Sequence, residues 1–136
     1  MRLISIFLIC VSFGFGQKKL KPKSTRILFV FDASKSMKIE YNGITRIEGA
    51  KKLFYKFIDS LSKDKTYQFA LRVYGQTVKY PPGDCKDSKL IVPFMPNNIN
   101  LIKQKVSEAI PTGITPIEHS LTEAANDFKE NGTNNI

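Results

Sequence analysis

The feature that most constrains the fold is an unbroken apolar run in the first third of the chain. The run covers Arg26–Phe31, is apolar from its second residue onward and is followed directly by Asp32. An apolar strand without alternation is typical of a strand that is covered on both faces, as in a parallel sheet. We therefore expect a central strand of a parallel sheet, with Asp32 at its carboxyl end.

The residues after this strand alternate between helical and extended patterns. Apolar residues spaced by three and four predict an amphipathic helix over Arg46–Leu61. Alternating apolar residues predict a second strand over Phe69–Val73. A short third strand over Leu90–Val92 is expected at an edge of the sheet, because Pro93 removes a donor from the ladder.

Two further helices are predicted in the last third of the chain. Helical spacing indicates one over Asn98–Ile110 and another that starts at Pro116. Strands interleaved with helices predict an α/β domain with helices on both faces of a mainly parallel sheet. Residues 131–135 have the composition of a loop, and Ile136 is expected to begin another strand.

The first 16 residues predict an export signal. Arg2 places a positive charge near the N-terminus, and Leu3–Phe15 is almost wholly apolar. Gly14 and Gly16 are small residues at the positions that signal peptidase reads, so cleavage after Gly16 is expected. Residues 17–25 then form a linker to a domain that starts at residue 26 and continues to residue 136.

An uncleaved membrane anchor and a lipoprotein are the alternatives to cleavage. The apolar run is shorter than the roughly 17 to 25 residues that a spanning helix needs. A lipoprotein would use Cys10, but Ile9 precedes it where a small residue is required. We therefore expect an exported protein, located in the periplasm, on the cell surface or outside the cell, in which Cys85 is the one remaining cysteine.

The charge of the chain does not indicate a nucleic-acid partner. There are 21 Lys and Arg against 12 Asp and Glu, a formal net charge of +9, and the basic residues are scattered rather than clustered. Scattered charge is typical of a solvated surface. A general attraction to acidic ligands is the property that we expect from it.

A polar motif directly follows the predicted central strand. Asp32, Ser34 and Ser36 form the pattern D-x-S-x-S. Steps of two put these side chains on one side of an extended backbone, at the end of a strand where open α/β sheets bind ligands. One carboxylate and two hydroxyls suit a small hard cation such as Mg²⁺. The alternative is a strand-to-helix turn in which the same residues cap backbone donors.

With D-x-S-x-S at this position, the chain resembles the von Willebrand factor type A (VWA) family. The metal-ion-dependent adhesion site (MIDAS) of that family begins with this motif and continues with T-G-x-T-P before a helix. Thr112–Pro116 matches the second motif and assigns the metal-binding threonine to Thr115. The same segment also matches the capping-box pattern, in which Thr115 would cap the helix and pair with Glu118. The resemblance implies a Rossmann-like three-layer fold and a site of Asp32, Ser34, Ser36 and Thr115 that holds Mg²⁺, or Mn²⁺ or Ca²⁺.

The resemblance covers residues 26–136, roughly the first two-thirds of a VWA domain. The third MIDAS element, an Asp in a later turn, is expected beyond Ile136. We therefore interpret the chain as a domain that is truncated before its later strands. Arg72–Gly75, the Asp84–Asp87 loop and Leu90–Pro93 are most similar to bacterial exported VWA proteins related to the calcium-activated chloride channel group. Without its later strands, the strand at Arg26 is expected to expose an apolar edge and the isolated chain to be poorly stable.

The function that the resemblance implies is metal-dependent binding of a protein ligand. The bound ion would recruit a carboxylate from the partner, and Lys35, Lys38 and Arg46 would attract acidic ligands or serve as solvated charges. An enzyme is not expected, because a nucleophilic serine needs a base and the only histidine is His119. The alternative function is a structural interaction module of the same fold that needs no metal.

Overall fold

The computed structural model describes residues 24–130. The predicted signal peptide (1–16), most of the predicted linker (17–25) and the final loop and strand start (131–136) lie outside this range. The described elements are β1 (Thr25–Asp32), a 3₁₀ helix (Lys35–Lys38), β2 (Glu40–Tyr41), β3 (Ile44–Thr45), α1 (Arg46–Leu61), β4 (Tyr67–Tyr74), β5 (Ser88–Met95), α2 (Ile99–Glu108) and α3 (Ile117–Glu130). Between residues 24 and 130, no helix has the length and apolar character to cross a membrane.

The main sheet has three strands in the order β1-β4-β5. β1 and β4 are parallel and in full register, from Thr25 beside Tyr67 to Asp32 beside Tyr74. β5 is antiparallel to β4, so the described sheet is mixed and the expectation of a mainly parallel sheet is corrected. The physical reason is the connection between β4 and β5, which contains no crossover helix of the kind that parallel neighbours require.

The positions of the strands in the sheet partly match the prediction. β5 lies at an edge, as Pro93 indicated. β1, which was expected to be central in a complete domain and to expose an edge without the later strands, lies at the opposite end of the strand order within residues 24–130, and most of its side chains are half-buried. A continuous apolar run shows that both faces of a strand are covered and does not show how many neighbours the strand has.

Helices cover both faces of this sheet. Phe69, Leu71 and Val73 of β4 point to the face where α1 and α2 pack and form one buried core with residues of both helices. Arg72 points to the other face and binds Asp127 of α3. The domain is therefore α/β with three layers, as the alternation of elements predicted.

Helix α1 has the predicted bounds, Arg46–Leu61, and a well-formed start. The Thr45 hydroxyl accepts a hydrogen bond from the Glu48 main-chain N–H, and the Glu48 carboxylate accepts one from the Thr45 N–H. This capping box satisfies two N–H groups at the first turn. The helix buries Phe54, whose ring lies 4.9 Å from that of Phe29 on β1 in an edge-to-face contact.

A small β-hairpin, which the sequence analysis missed, leads into α1. β2 and β3 are joined by Asn42 and Gly43, and both residues have positive φ angles, 51° and 78°. An Asn-Gly pair is the sequence preferred by two-residue hairpin turns of this kind. The turn positions the start of α1 beside the loop that follows β1.

Candidate metal centre

The D-x-S-x-S side chains are brought together at the carboxyl end of β1. Asp32 is the last residue of the strand, and its Oδ1 accepts a hydrogen bond of 2.7 Å from the Ser34 main-chain N–H. The hydroxyl oxygens of Ser34 and Ser36 lie 3.0 Å apart and share a hydrogen bond. Ser34 is fully buried, whereas Ser36 is exposed. The three side chains therefore form one polar cluster with an open side at Ser36.

The backbone that produces this cluster differs from the predicted one. Ser34 is extended, with φ −70° and ψ 161°, but Ser36 lies in the 3₁₀ helix Lys35–Lys38. The prediction of an extended backbone through Ser36 is therefore wrong. A tight helical turn, stabilised by the hydrogen bond from the Met37 N–H to the Ser34 carbonyl, brings the two hydroxyls together instead.

The segment that carries Thr115 lies beside this cluster. Ser34 and Gly113 form a parallel bridge, in which the Lys35 N–H donates to the Gly113 carbonyl at 2.7 Å. Thr115 is two residues further along, is exposed and lines the same groove as Ser36. The structure thus places all four predicted site residues at one end of the sheet, with Asp32, Ser34 and Ser36 in direct contact and Thr115 lining the same groove as Ser36.

Thr115 does not form the predicted capping box. Helix α3 begins at Ile117, and the Ser120 N–H donates to the Pro116 carbonyl, so Pro116 and not Thr115 occupies the N-cap position. The hydrogen bonds of residues 24–130 include none between the Thr115 hydroxyl and Glu118. The hydroxyl of Thr115 is therefore available to a ligand.

Gly75 allows three segments to meet behind the centre. Its φ is +71°, and a Cβ atom there would lie 2.5 Å from the Ile114 carbonyl oxygen and 2.8 Å from the Ser34 Cα. The Gly75 carbonyl accepts a hydrogen bond of 2.7 Å from the Gly113 N–H. Only a residue without a side chain permits this approach, so Gly75 fixes the distance between the serine loop and the Thr115 segment.

Tyr74 is a site residue that the sequence analysis did not identify. It lies beside Asp32 in the parallel register and is buried. Burial, and then the negative charge of Asp32 and a hydrogen bond with that residue, raise the pKa of Tyr74 to about 12. The phenol therefore stays protonated beside the carboxylate. The available signal was positional, because the last residues of parallel neighbours meet at one edge.

The second carboxylate near the centre, Asp87, holds the backbone and is not a candidate ligand. Asp87 is buried, and its Oδ2 accepts hydrogen bonds from the main-chain N–H groups of Thr77 and Val78, at 2.9 and 3.0 Å. The same oxygen lies near Gly113, where a Cβ would approach it to 3.1 Å. Asp87 thus supports the Thr115 segment from behind.

Cys85, in the same loop, is an exposed free thiol among the described residues.

The chemistry of the cluster fits a small hard cation. Two adjacent ligands of an octahedral ion with metal–oxygen distances of about 2.1 Å lie about 3.0 Å apart. That separation equals the 3.0 Å between the Ser34 and Ser36 hydroxyl oxygens. Among residues 24–130 there is no group of three or more His, Cys, Asp or Glu that could hold a metal. An ion at this centre would thus rely on one carboxylate and on hydroxyls, as the motifs imply.

Comparison with curated proteins finds one relative that is described as uncharacterized. No family model matches the chain. The uncharacterized protein YwmD of Bacillus subtilis is 30% identical over 113 residues, which cover 80% of this chain and 50% of YwmD. The chain therefore spans about half the length of this curated relative.

Solved structures show the same fold at low sequence identity. An uncharacterized membrane-spanning protein from Vibrio fischeri superposes with a TM-score of 0.61 at 20% identity, over 80% of this chain and 51% of that one. The conserved hypothetical protein BatB from Bacteroides thetaiotaomicron gives a TM-score of 0.60, also at 20% identity, over 77% of this chain and 46% of that one. These likenesses show the α/β fold alone, and the VWA-like fold expected from the two motifs agrees with them.

Proposed function

We propose that the chain is part of a VWA domain of an exported bacterial protein, and that it binds a protein ligand through a divalent cation at a MIDAS-type centre. The observation that carries the proposal is the 3.0 Å separation of the Ser34 and Ser36 hydroxyls beside Asp32, with the Thr115 segment joined to the same loop by the Ser34–Gly113 bridge. Segments that carry two motifs far apart in sequence lie side by side at one end of the sheet.

The chemistry of binding follows from the kind of ligands. Asp32, Ser34, Ser36 and Thr115 would hold Mg²⁺, or Mn²⁺ or Ca²⁺, and the ion would supply a positive charge that attracts a carboxylate of the partner. Because three of the four side chains are neutral, the protein neutralises only part of the charge of the ion.

The basic residues around the candidate centre favour a partner with acidic side chains. Lys35 is exposed at the groove, and its ammonium lies 5.5 Å from the centre of the Tyr80 ring. Lys38 and Arg46 are also exposed near this end of the sheet. A net charge of +9 adds a general attraction for acidic ligands.

The apolar N-terminal run and the expected cleavage after Gly16 support export, in agreement with a binding role outside the cytoplasm.

A thermal-shift titration of the full-length protein tests this function. We expect Mg²⁺ or Mn²⁺ to raise the melting temperature and a chelator to reverse the shift, because an ion bound only to the folded state stabilises it. The Asp32→Asn variant keeps an oxygen that can accept from the Ser34 N–H but loses the charge, so its shift should disappear. Asp59→Asn, an exposed carboxylate on α1, is the matched control and should respond as the wild type does.

The result also separates the two candidate functions. A shift that is absent in the wild type, or unchanged in Asp32→Asn, would contradict a metal centre at these residues. The remaining function would then be that of a metal-independent interaction module with the same fold.

A further inference from the structure

Apolar side chains are exposed around the candidate metal centre. A groove of about 560 Å³ is lined by Ser36 and Thr115 together with Ile39, Tyr80 and Ile114. Ile39 is 51% exposed and Tyr80 is 46% exposed. Two large apolar side chains exposed at one groove are unfavourable in water unless something covers them. The groove is therefore suited to an occupant that is partly apolar.

The walls of this groove are held by main-chain hydrogen bonds. The Tyr80 N–H donates to the Thr112 carbonyl at 3.0 Å, and the Ile39 carbonyl accepts from the Arg46 N–H at 3.0 Å. Ile114 packs against the turn at Gly83, where a Cβ atom would come within 2.6 Å of its Cγ2. Because these segments are fixed in the free protein, an occupant would meet a groove that is already formed.

The charge that lines the groove is positive. Among its described lining residues, Lys35 is the one charged side chain, and it lies over the Tyr80 ring. The lining of the groove therefore combines an ammonium group and the hydroxyls of Ser36 and Thr115 with apolar side chains. This combination is complementary to a ligand that carries a negative charge next to an apolar side chain.

We propose that the groove binds an extended peptide segment in which an acidic residue is flanked by large apolar residues. The inference rests on the proposed metal-dependent function, because the ion would hold the acidic side chain beside Ser36 and Thr115. Ile39, Tyr80 and Ile114 then contact the apolar neighbours and determine which acidic segments bind. A volume of about 560 Å³ lies within the range of small-ligand sites, roughly 300–1,000 Å³, so the groove has room for a few side chains.

The test compares three short synthetic peptides, labelled with a fluorophore, on the full-length protein. The first has one aspartate flanked by leucines, the second has the same aspartate flanked by serines, and the third has asparagine flanked by leucines. Fluorescence anisotropy gives their dissociation constants in Mg²⁺ and in chelator. In Mg²⁺ we expect the leucine–aspartate peptide to bind about tenfold more tightly than the serine–aspartate peptide, since partial burial of each leucine adds affinity.

Variants locate the apolar contribution. In Tyr80→Ser and Ile39→Ser, both aspartate peptides should bind in Mg²⁺ with nearly equal affinity. Leu101→Ser removes an exposed apolar side chain on α2, away from the groove, and should keep the tenfold preference. All three residues are exposed, so these variants are expected to fold.

The outcomes distinguish this inference from the function on which it rests. Mg²⁺-dependent binding of both aspartate peptides with equal affinity in the wild type would overturn the inference and leave the function intact. A preference that survives in both groove variants would also overturn it. If neither aspartate peptide binds in a Mg²⁺-dependent way, or if the asparagine peptide binds equally well, the proposed function fails and the inference fails with it.

Discussion

The hydroxyl of Ser34 combines full burial with few polar contacts. Within residues 24–130 its hydrogen-bond partner is the Ser36 hydroxyl, and the Ser34 main chain bonds to Asp32. A hydroxyl has one proton to donate and two lone pairs to accept with. The Ser34 oxygen thus retains capacity to bind an additional group beside Asp32 and Ser36, which is the property that the proposed centre requires.

Replacing Ser34 by alanine should separate metal binding from stability. The Ser34→Ala variant loses one neutral hydrogen bond, which costs about 1 kcal/mol in the free energy of unfolding. We expect it to lose the whole Mg²⁺-induced stabilisation, because a proposed ligand is removed. Urea unfolding with and without Mg²⁺ measures both effects. Retention of the wild-type Mg²⁺ effect would show that Ser34 is not a ligand. Ser60→Ala, on the exposed face of α1, is the control.

Gly75 is a second position where one residue decides the geometry. In Gly75→Ala the added Cβ would clash with the Ile114 carbonyl and with Ser34, at a φ of +71° that disfavours a side chain. We expect a loss of about 2–4 kcal/mol, the sum of the left-handed conformation and the overlap. Gly43→Ala has a similar φ of +78° but open space, so a loss of about 1–2 kcal/mol is expected there. Equal losses in the two variants would mean that the close approach at Gly75 is unimportant.

At the scale of secondary-structure elements, one buried ion pair joins α3 to the sheet. The Arg72 guanidinium on β4 donates to both carboxylate oxygens of Asp127 on α3, each at 2.7 Å, and to the Ser88 hydroxyl on β5 at 3.1 Å. Both charged side chains are almost fully buried. The pair therefore fixes how α3 lies across β4 and β5, and with it the position of the Thr115 segment that precedes α3.

Removing one partner of this pair should be costly. Asp127→Asn keeps the shape of the side chain but leaves the Arg72 charge buried without its counter-charge, so we expect a loss of about 3 kcal/mol in urea unfolding. Glu108→Gln, which breaks the exposed pair with Lys105 on α2, is the control and should have a much smaller effect. A comparable small effect in Asp127→Asn would contradict a structural role for the buried pair.

The capping box of α1 predicts a pH dependence. Hydrogen bonds from the Thr45 hydroxyl and N–H lower the pKa of Glu48 below its ordinary value of 4.5. A folded-state pKa below the unfolded one contributes stability that is present above pH 4.5 and is lost as the pH falls through the lowered value. Wild type should therefore melt at a higher temperature than Glu48→Gln at neutral pH, and the difference should shrink in acid below pH 4.5.

Two substitutions at Thr45 check the same capping box. Thr45→Ala removes the hydroxyl that accepts from the Glu48 N–H and should cost about 1 kcal/mol. Thr45→Ser keeps a hydroxyl and should retain most of the stability. A difference between wild type and Glu48→Gln that does not change with pH would contradict the ionic origin of the effect.

The sequence predicted elements better than it predicted their arrangement. The helix over Arg46–Leu61 was exact, because its apolar periodicity and its flanking polar residues depend on local chain geometry alone. The mixed sheet was not predicted, since the relative direction of β4 and β5 depends on how the strands meet in space. For the site, the two motifs predicted that Ser34 and Thr115 belong together. The contact of Tyr74 with Asp32 followed only from strand register.

At the scale of the whole molecule, apolar surface lies next to the free side of β1. Leu53 is 70% exposed and Phe57 is 55% exposed on α1. The Phe57 ring lies 6.3 Å from that of Phe29 on β1, so this surface adjoins the strand whose second side has no partner within residues 24–130. An unpaired strand edge beside exposed apolar side chains favours association with other chains.

We therefore expect the chain of residues 17–136, studied alone, to self-associate and to melt with low cooperativity. Sedimentation velocity over a range of concentrations, together with a thermal melt, measures both properties. The double variant Leu53→Lys/Phe57→Lys should reduce self-association without restoring a cooperative melt, because the strand edge remains. A wild-type chain that is monomeric and melts cooperatively would contradict this expectation.

The backbone contact at Gly75 has a consequence for how binding can change. The hydrogen bonds that join Gly75, Gly113 and Lys35 run between peptide groups, so exchanging exposed side chains elsewhere at the groove leaves them in place. If the ion is held by this scaffold, its coordination and the choice of peptide are encoded by separate sets of residues. Substitution at Ile39 and Tyr80 would then redirect the protein to a new binding partner while the ion chemistry is inherited unchanged.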